Sequence, residues 1–267
     1  MICPNCSHEN EGGKFCENCG APLNAGNGVT VPETGTQTAS TQASKYLEST
    51  KKISKMYFSY FMQVLKQPYA SSRSVGEEHF INGLITVIIY SLLIPLMIYF
   101  GLRGILSDFN SFSSGLFGEQ VVINPPFTDV VLKPAFAYLI FIALVIVFTF
   151  AAIKLGHVHV SFKEVFSRFG SFLIPTVGVL LVALVMSILK IKMFLAVMFF
   201  GFIGSVFLVP PLVIASFKKE STQGVDVIYG ALITYALTFI AIGIMGDMLF
   251  DALKNAFSNV FGMFGGF

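Results

Sequence analysis

The chain is poor in charge. Only 12% of its 267 residues are Asp, Glu, Lys or Arg, where a soluble domain of ordinary composition carries about 25%. With 54% hydrophobic residues, 29 of them phenylalanine, a water-facing surface cannot be built around all of it, so lipid must be the main solvent. The formal net charge is +2, too small for a general basic field, and nucleic acid is not expected as a partner. Cysteine is absent after position 19 and confined to Cys3, Cys6, Cys16 and Cys19. The start Met1-Ile2-Cys3 leaves no room for the charged and apolar regions of a cleavable signal peptide ahead of these thiols. The expectation is that this end stays in the cytoplasm, where paired Cys-x-x-Cys units read as metal sites rather than disulfides. No Ser/His/Asp or Cys/His set, phosphate loop or convergent carboxylates occur, so the chain is not expected to be an enzyme.

What is present at the N-terminus is a Cys-x2-Cys-x9-Cys-x2-Cys spacing. Two such knuckles place four thiolates at tetrahedral vertices around one Zn2+, at Zn–S distances of about 2.3 Å. Gly20 permits the turn after the second knuckle and Gly12-Gly13 lets the chain reverse between them. Phe15 and Leu23 are almost all the core such a unit has, so metal binding must supply most of its folding free energy. Four thiolates close the coordination sphere, which makes this one structural zinc rather than a catalytic one. His8 beside them reads as a loop residue.

Residues 1–23 therefore read as a zinc ribbon and 24–44 as a flexible linker. Ala21 to Ser44 carries a single charge, Glu33, and cannot bury enough apolar area to offset chain entropy. Residues 45–67 read as an amphipathic interfacial helix, with Ile53, Met56, Tyr57, Tyr60, Phe61, Val64 and Leu65 on one face and Lys51, Lys52, Lys55 and Lys66 mostly outside it. Such a helix either lies among lipid headgroups or packs on the membrane bundle. Pro68 ends it.

Residues 77–250 form the membrane domain. Five uncharged stretches, 80–101, 134–153, 169–189, 193–217 and 227–246, are each long enough to cross a hydrocarbon core of about 30 Å as helix, and continuous apolarity selects helices over a barrel. The expected fold is an all-α polytopic bundle of five transmembrane helices with a small N-terminal zinc ribbon. Only Lys190-Ile191-Lys192 separates the third and fourth stretches, which must form a tight hairpin. Five crossings put the termini on opposite sides, with the C-terminus extracytoplasmic if the ribbon is cytoplasmic. Loop charges support that orientation weakly: Lys66, Arg73, Lys154, Lys163, Arg168, Lys218 and Lys219 inside against Arg103, Lys133, Lys190, Lys192 and Lys254 outside. Residues 251–267, like the Phe-rich loop from Leu102 to Lys133, read as interfacial.

Inside the spans only Asn82, Thr86, Ser187, Thr234 and Thr238 are singled out as polar. Ion-coupled carriers usually place ionisable residues there, so their absence argues against one. Pro95, Pro175, Pro210 and Pro211 interrupt helices, either as simple kinks or as breaks whose freed carbonyls line a cavity. Gly201 and Ser205, and Gly230, Thr234 and Thr238, are spaced by four and allow close helix approach, within a bundle or across a homo-oligomer. His157 and His159 form a lone His-x-His without plain further ligands.

The string GHVHVSFKEVFSRFGSFLIP, Gly156 to Pro175, resembles the segment that the Yip1 superfamily carries between its second and third spans. The resemblance implies five spans with the N-terminus inside and, from the eukaryotic members, a role in vesicle trafficking with small GTPases; the ribbon and long linker depart from that pattern. The first 23 residues look like the zinc-ribbon module found at the N-termini of bacterial membrane proteins, implying a bacterial cell membrane location. The functional expectation is a non-enzymatic adaptor or regulatory protein whose ribbon binds a cytoplasmic protein partner. The alternative is permeation of a small solute or lipid past the proline-broken helices.

Overall fold

The computed structural model describes residues 53–117, 125–218 and 224–261, together with Ile2, His8, Glu9, Glu17 and Asn18; for 108–117 and 247–261 it describes the backbone alone. The chain divides into two compact units, Met1–Lys52 and Ile53–Phe267. In the first, Ile2 and Glu9 form an antiparallel bridge. Cys3, Cys6, Cys16 and Cys19 and the expected linker over 24–44 lie outside the described residues.

The second unit is all-helical among the described residues. Helix α1 covers 53–66, and α2 (Pro68–Ser72) and a 3-10 turn (Glu77–His79) lead into α3 (Phe80–Phe117). A π-helical turn (Thr128–Leu132) opens α4 (Lys133–Leu155), followed by α5 (Phe162–Ile188). Helix α6 (Phe194–Ile203) runs through a second π-helical turn (Gly204–Leu208) into α7 (Val209–Phe217), and α8 (Val227–Phe261) closes the chain. Among the described residues, five stretches are long and apolar enough to cross a membrane: Glu77–Ser107, Thr128–Leu155, Phe162–Ile188, Phe194–Phe217 and Val227–Gly246. They contain the five stretches read from the sequence or nearly so.

Helix α5 is the pillar. It packs most extensively on α3 and also meets α2, α4, α6 and α7. Phe169, Leu173, Val177 and Leu180 on α5 share one core with Tyr90 and Met97 of α3 and Ile142 and Ile146 of α4. Side chains are missing where α3 and α5 come closest: a Cβ on Gly170 would stand 2.5 Å from the Cα of Gly83, and one on Gly83 would stand 3.1 Å from the Cα of Ser167. Of the small residues singled out above, Gly201 serves the same purpose, because a Cβ there would meet Leu180 Cδ2 at 2.7 Å. Gly230 does not; its nearest neighbour would be at an ordinary 3.6 Å.

Two helix ends are closed alike. After α4, the N–H of His157 bonds the carbonyl of Lys154 and that of Val158 bonds Ile153; after α5, Lys190 bonds Ser187 and Ile191 bonds Met186. These are Schellman caps, whose left-handed position favours glycine, yet here it holds His157 at φ 56° and Lys190 at φ 58°. The second cap makes the tight Lys190-Ile191-Lys192 hairpin.

The prolines act in two ways. Pro95 and Pro175 sit inside continuous α3 and α5. Pro210 and Pro211 form the opening turn of α7, directly after the π-helical turn. Pro211 has no N–H to offer the Phe207 carbonyl four residues back, and the Tyr235 hydroxyl of α8 donates to that carbonyl instead.

Helix α1 ends where expected: Gln67, before Pro68, takes φ −138° and ψ 69°, outside the α region that the following proline ring disfavours. Three boundaries move. Helix α3 continues past Gly101 to Phe117, so the stretch from Leu102 begins as helix, because Arg103 changes the solvent a helix can face without breaking its backbone. Helix α8 likewise runs through the first part of 251–267. Helix α5 starts seven residues before Phe169 and takes in Arg168.

Candidate functional site

Helix α5 starts at Ser161, whose hydroxyl accepts the Glu164 N–H at 3.1 Å and donates to the Glu77 carboxylate. This side chain both caps the helix and ties it to the chain before α3. One turn on, Glu164 Oε1 receives Arg168 Nη2 at 3.0 Å. The remaining face of the guanidinium reaches two further segments: Nε donates to the Val75 carbonyl at 3.1 Å, and Nη1 to the Ser216 carbonyl at 3.3 Å and its hydroxyl at 3.4 Å. The guanidinium carbon stands 3.7 Å from the centre of the Phe217 ring. Arg168 is only 8% exposed. The planar fork and weak hydration of Arg suit it to such a place. Arg168, counted above among the loop charges, is thus a buried cation within α5 that joins the start of α5 and the segment before α3 to the end of α7.

Around it, Ser171 donates to the Ser72 hydroxyl at 2.9 Å, fastening α2 to α5. Tyr57 and Thr86 meet at 3.0 Å; since Thr86 donates its own hydrogen to the Asn82 carbonyl, Tyr57 is the donor. Tyr60 stacks on His79 at 5.0 Å. Burial pushes both Tyr57 and Tyr60 hydroxyls up from the ordinary tyrosine range. Through Tyr60 and Val64, helix α1 packs against Val75 and Ile174. It also leaves Met56 62% and Phe58 64% exposed. Of the two readings of this helix, packing on the bundle describes its inner face, and a second apolar face remains outward.

The intramembrane polar residues are turned inward on the protein. Ser187 donates to the Met97 carbonyl at 2.7 Å and Thr234 to the Gly230 carbonyl at 2.9 Å. Asn82 bonds the His79 ring at 3.1 Å. Thr238 is buried without a partner among the described residues. Tyr90 and Ser205 meet at 2.5 Å in the core, with Ser205 donating on to the Phe202 carbonyl. Sequence reasoning missed this pair, which lies 115 positions apart and has no local signal. It also missed Arg168, although Glu164 four residues earlier was visible.

His157 serves as the left-handed cap described above, and His159 is exposed. Among the described residues no group of three or more His, Cys, Asp or Glu stands ready to hold a metal ion. The only ligand set read from the sequence, Cys3, Cys6, Cys16 and Cys19, lies outside them.

A family model described as a domain of unknown function, DUF6574, matches residues 48–262. The chain belongs to this family. The matched region begins just before α1 and takes in all five candidate spans, leaving the four cysteines outside. The Bacillus subtilis (strain 168) protein described as "Uncharacterized protein YvbI" is 32% identical over 237 residues, 89% of this chain and 90% of that protein. No solved structure matches the chain. Within the family region, the residues that carried the Yip1 resemblance have physical roles of their own: Ser161 caps α5, and Gly170 lets α5 touch α3.

Proposed function

We propose that this DUF6574 protein is a non-enzymatic membrane adaptor in which the five-helix unit is the anchor and a cytoplasmic zinc ribbon is the part that recruits a protein partner. The observation that carries this reading is the division of the chain at Lys52 and Ile53, with every cysteine on one side and every candidate span on the other. In the anchor, Ser187, Thr234, Ser171 and Tyr90 bond to the protein's own backbone and hydroxyls, as a scaffold requires. The donor set of the first unit fits zinc: four thiolates and no open position. The Ile2–Glu9 bridge brackets Cys3 and Cys6, as a hairpin carrying one knuckle would. Cys3, Cys6, Cys16 and Cys19 would hold the ion, which when bound supplies folding free energy. The permeation alternative loses one of its supports at Phe207, whose carbonyl Tyr235 already occupies.

The test is crosslinking in native membranes with mass spectrometry, comparing the wild type with a variant carrying Ser at all four cysteine positions. A partner captured by the first and lost from the second supports recruitment by the ribbon. Identical captures overturn it. The purified wild type should hold one zinc per chain and the variant none.

A further inference from the structure

Helix α1 carries two outward stripes of opposite character. Phe58, Met62 and Leu65, spaced by four and three, form an exposed apolar stripe; Lys55, Ser59, Gln63 and Lys66, spaced by four, four and three, form an exposed polar one. Tyr60 and Val64, on the other side of the helix, are buried against the bundle.

The neighbours of each stripe rank the two by depth. Tyr57, which lies toward the apolar stripe, reaches Thr86. Tyr60, toward the polar stripe, stacks on His79, seven positions nearer the start of the span Glu77–Ser107, on the order of 10 Å along a helix. Leu65 Cδ1 stands 3.1 Å from where a Cβ on Gly178 would be. In α5, Phe162–Ile188, Gly178 is about 24 Å from the first residue and about 15 Å from the last. Ser59 and Gln63 instead line a recess with Glu78 and His79, in the turn that precedes α3, and Ile53 and Met56 border the same recess. Helix α1 therefore crosses α3 and α5 sideways, its apolar stripe toward the middle of the spans and its polar stripe toward their first residues.

The face of α5 beneath α1 identifies what lies against the apolar stripe. Ile174 and Gly178, which α1 covers, are followed along the same side by Val182 and Val185, both exposed. These belong to a helix long and apolar enough to cross a membrane, so their surroundings are acyl chains. The stripe of Phe58, Met62 and Leu65 adjoins that surface and matches it in chemistry.

We propose that α1 is an in-plane membrane helix, its Phe58, Met62 and Leu65 stripe sunk among the acyl chains of the leaflet in which α3 and α5 begin, and its Lys55, Ser59, Gln63 and Lys66 stripe among the headgroups. Packing on the bundle and lying in the interface are then one arrangement, with a different side of the helix serving each. The lysine stems can follow the apolar surface while their ammonium groups stay in water. A protein covering the apolar stripe would have to enter the hydrocarbon beside Val182. The inference stands whether or not the ribbon recruits a partner.

The experiment exploits the absence of tryptophan from the chain. Single-tryptophan variants of the full-length protein, Phe58→Trp, Met62→Trp and Ser59→Trp, all at exposed positions, are reconstituted in phosphatidylcholine vesicles. Emission is quenched either by phosphatidylcholine brominated along its acyl chains or by iodide present on both sides of the bilayer. Phe58→Trp and Met62→Trp should emit at shorter wavelength, lose most of their intensity to the brominated chains and be shielded from iodide. Ser59→Trp should show the reverse order of quenching. The proposal is overturned if iodide quenches all three variants alike, if brominated chains quench Ser59→Trp as strongly as Phe58→Trp, or if Phe58→Trp and Met62→Trp are shielded from both quenchers. That last outcome would mean that protein, a second copy of this chain included, covers the stripe.

Discussion

Arg168 shows how one side chain can carry an element junction. Removing a partner from a buried charged network leaves its companions unsatisfied and costs about 3 to 5 kcal/mol where burial is complete. Here Glu164 keeps 30% of its side chain exposed and can turn to water, so Arg168→Ala should cost less, about 2 to 4 kcal/mol. Reversible unfolding in mixed micelles measures this. Arg168→Lys should recover only part of the loss, because an ammonium cannot span the Val75 carbonyl, Ser216 and Glu164 at once or stack flat on Phe217. Equal stability of the Lys variant and the wild type would reduce Arg168 to a simple charge. His157 poses the opposite case. Its φ of 56° disfavours any side chain with a Cβ by about 1 kcal/mol, and its imidazole is exposed. His157→Gly should therefore raise stability by about 0.5 to 1 kcal/mol in the same assay, the gain trimmed by the greater freedom of glycine in the unfolded chain.

Among elements, the contact of α3 with α5 is the most constrained. Overpacking a filled interface typically costs about 1 to 3 kcal/mol. A methyl group on Gly170 meets backbone atoms of Gly83 at 2.5 and 2.9 Å, whereas one on Gly83 meets nothing nearer than 3.1 Å. Gly170→Ala should destabilise the bundle near the top of that range and Gly83→Ala by distinctly less; thermal unfolding of the two variants checks the order. Gly170 stood out only within the string that carried the Yip1 resemblance and Gly83 not at all, and their pairing could not be read beforehand, because they sit on different helices 87 positions apart and glycine is common throughout these spans. The helices themselves were legible, since continuous apolarity over twenty residues has few solutions in lipid. Their ends were less so. Arg103 and Arg168 read as markers of water, but a charge does not stop a helix, and Arg168 was drawn inward by partners from distant segments. The break at Gln67 was legible because proline constrains its neighbour locally. Of the candidate site, the Glu164–Arg168 spacing was visible while Val75, Ser216 and Phe217 were not, and the four cysteines, the clearest signal in the sequence, lie outside the described residues.

For the whole molecule, the number of crossings decides the topology. If all five apolar stretches cross, residues before α1 and after α8 face opposite compartments, whichever way the protein inserts. On the proposed reading, an N-terminus in the cytoplasm puts the Lys190–Lys192 hairpin on the far side of the membrane and the Arg168 junction on the near side. Native cysteines are confined to positions 3, 6, 16 and 19, so replacing them by serine yields a background in which single cysteines report on position. A membrane-impermeant maleimide applied to intact cells should label Lys192→Cys and Phe267→Cys at once, and Ser44→Cys and His159→Cys only after the membrane is opened. The reverse pattern would put the ribbon outside the cytoplasm, where thiol pairs form disulfides more readily than zinc sites, and would remove the basis for recruitment of a cytoplasmic partner. Labelling of Ser44→Cys and Phe267→Cys from the same side would mean an even number of crossings. A single stretch would then fail to cross, and the α5–α6 hairpin turning back as a pair would not explain it, because two helices that both stop short lower the count by two and leave it odd.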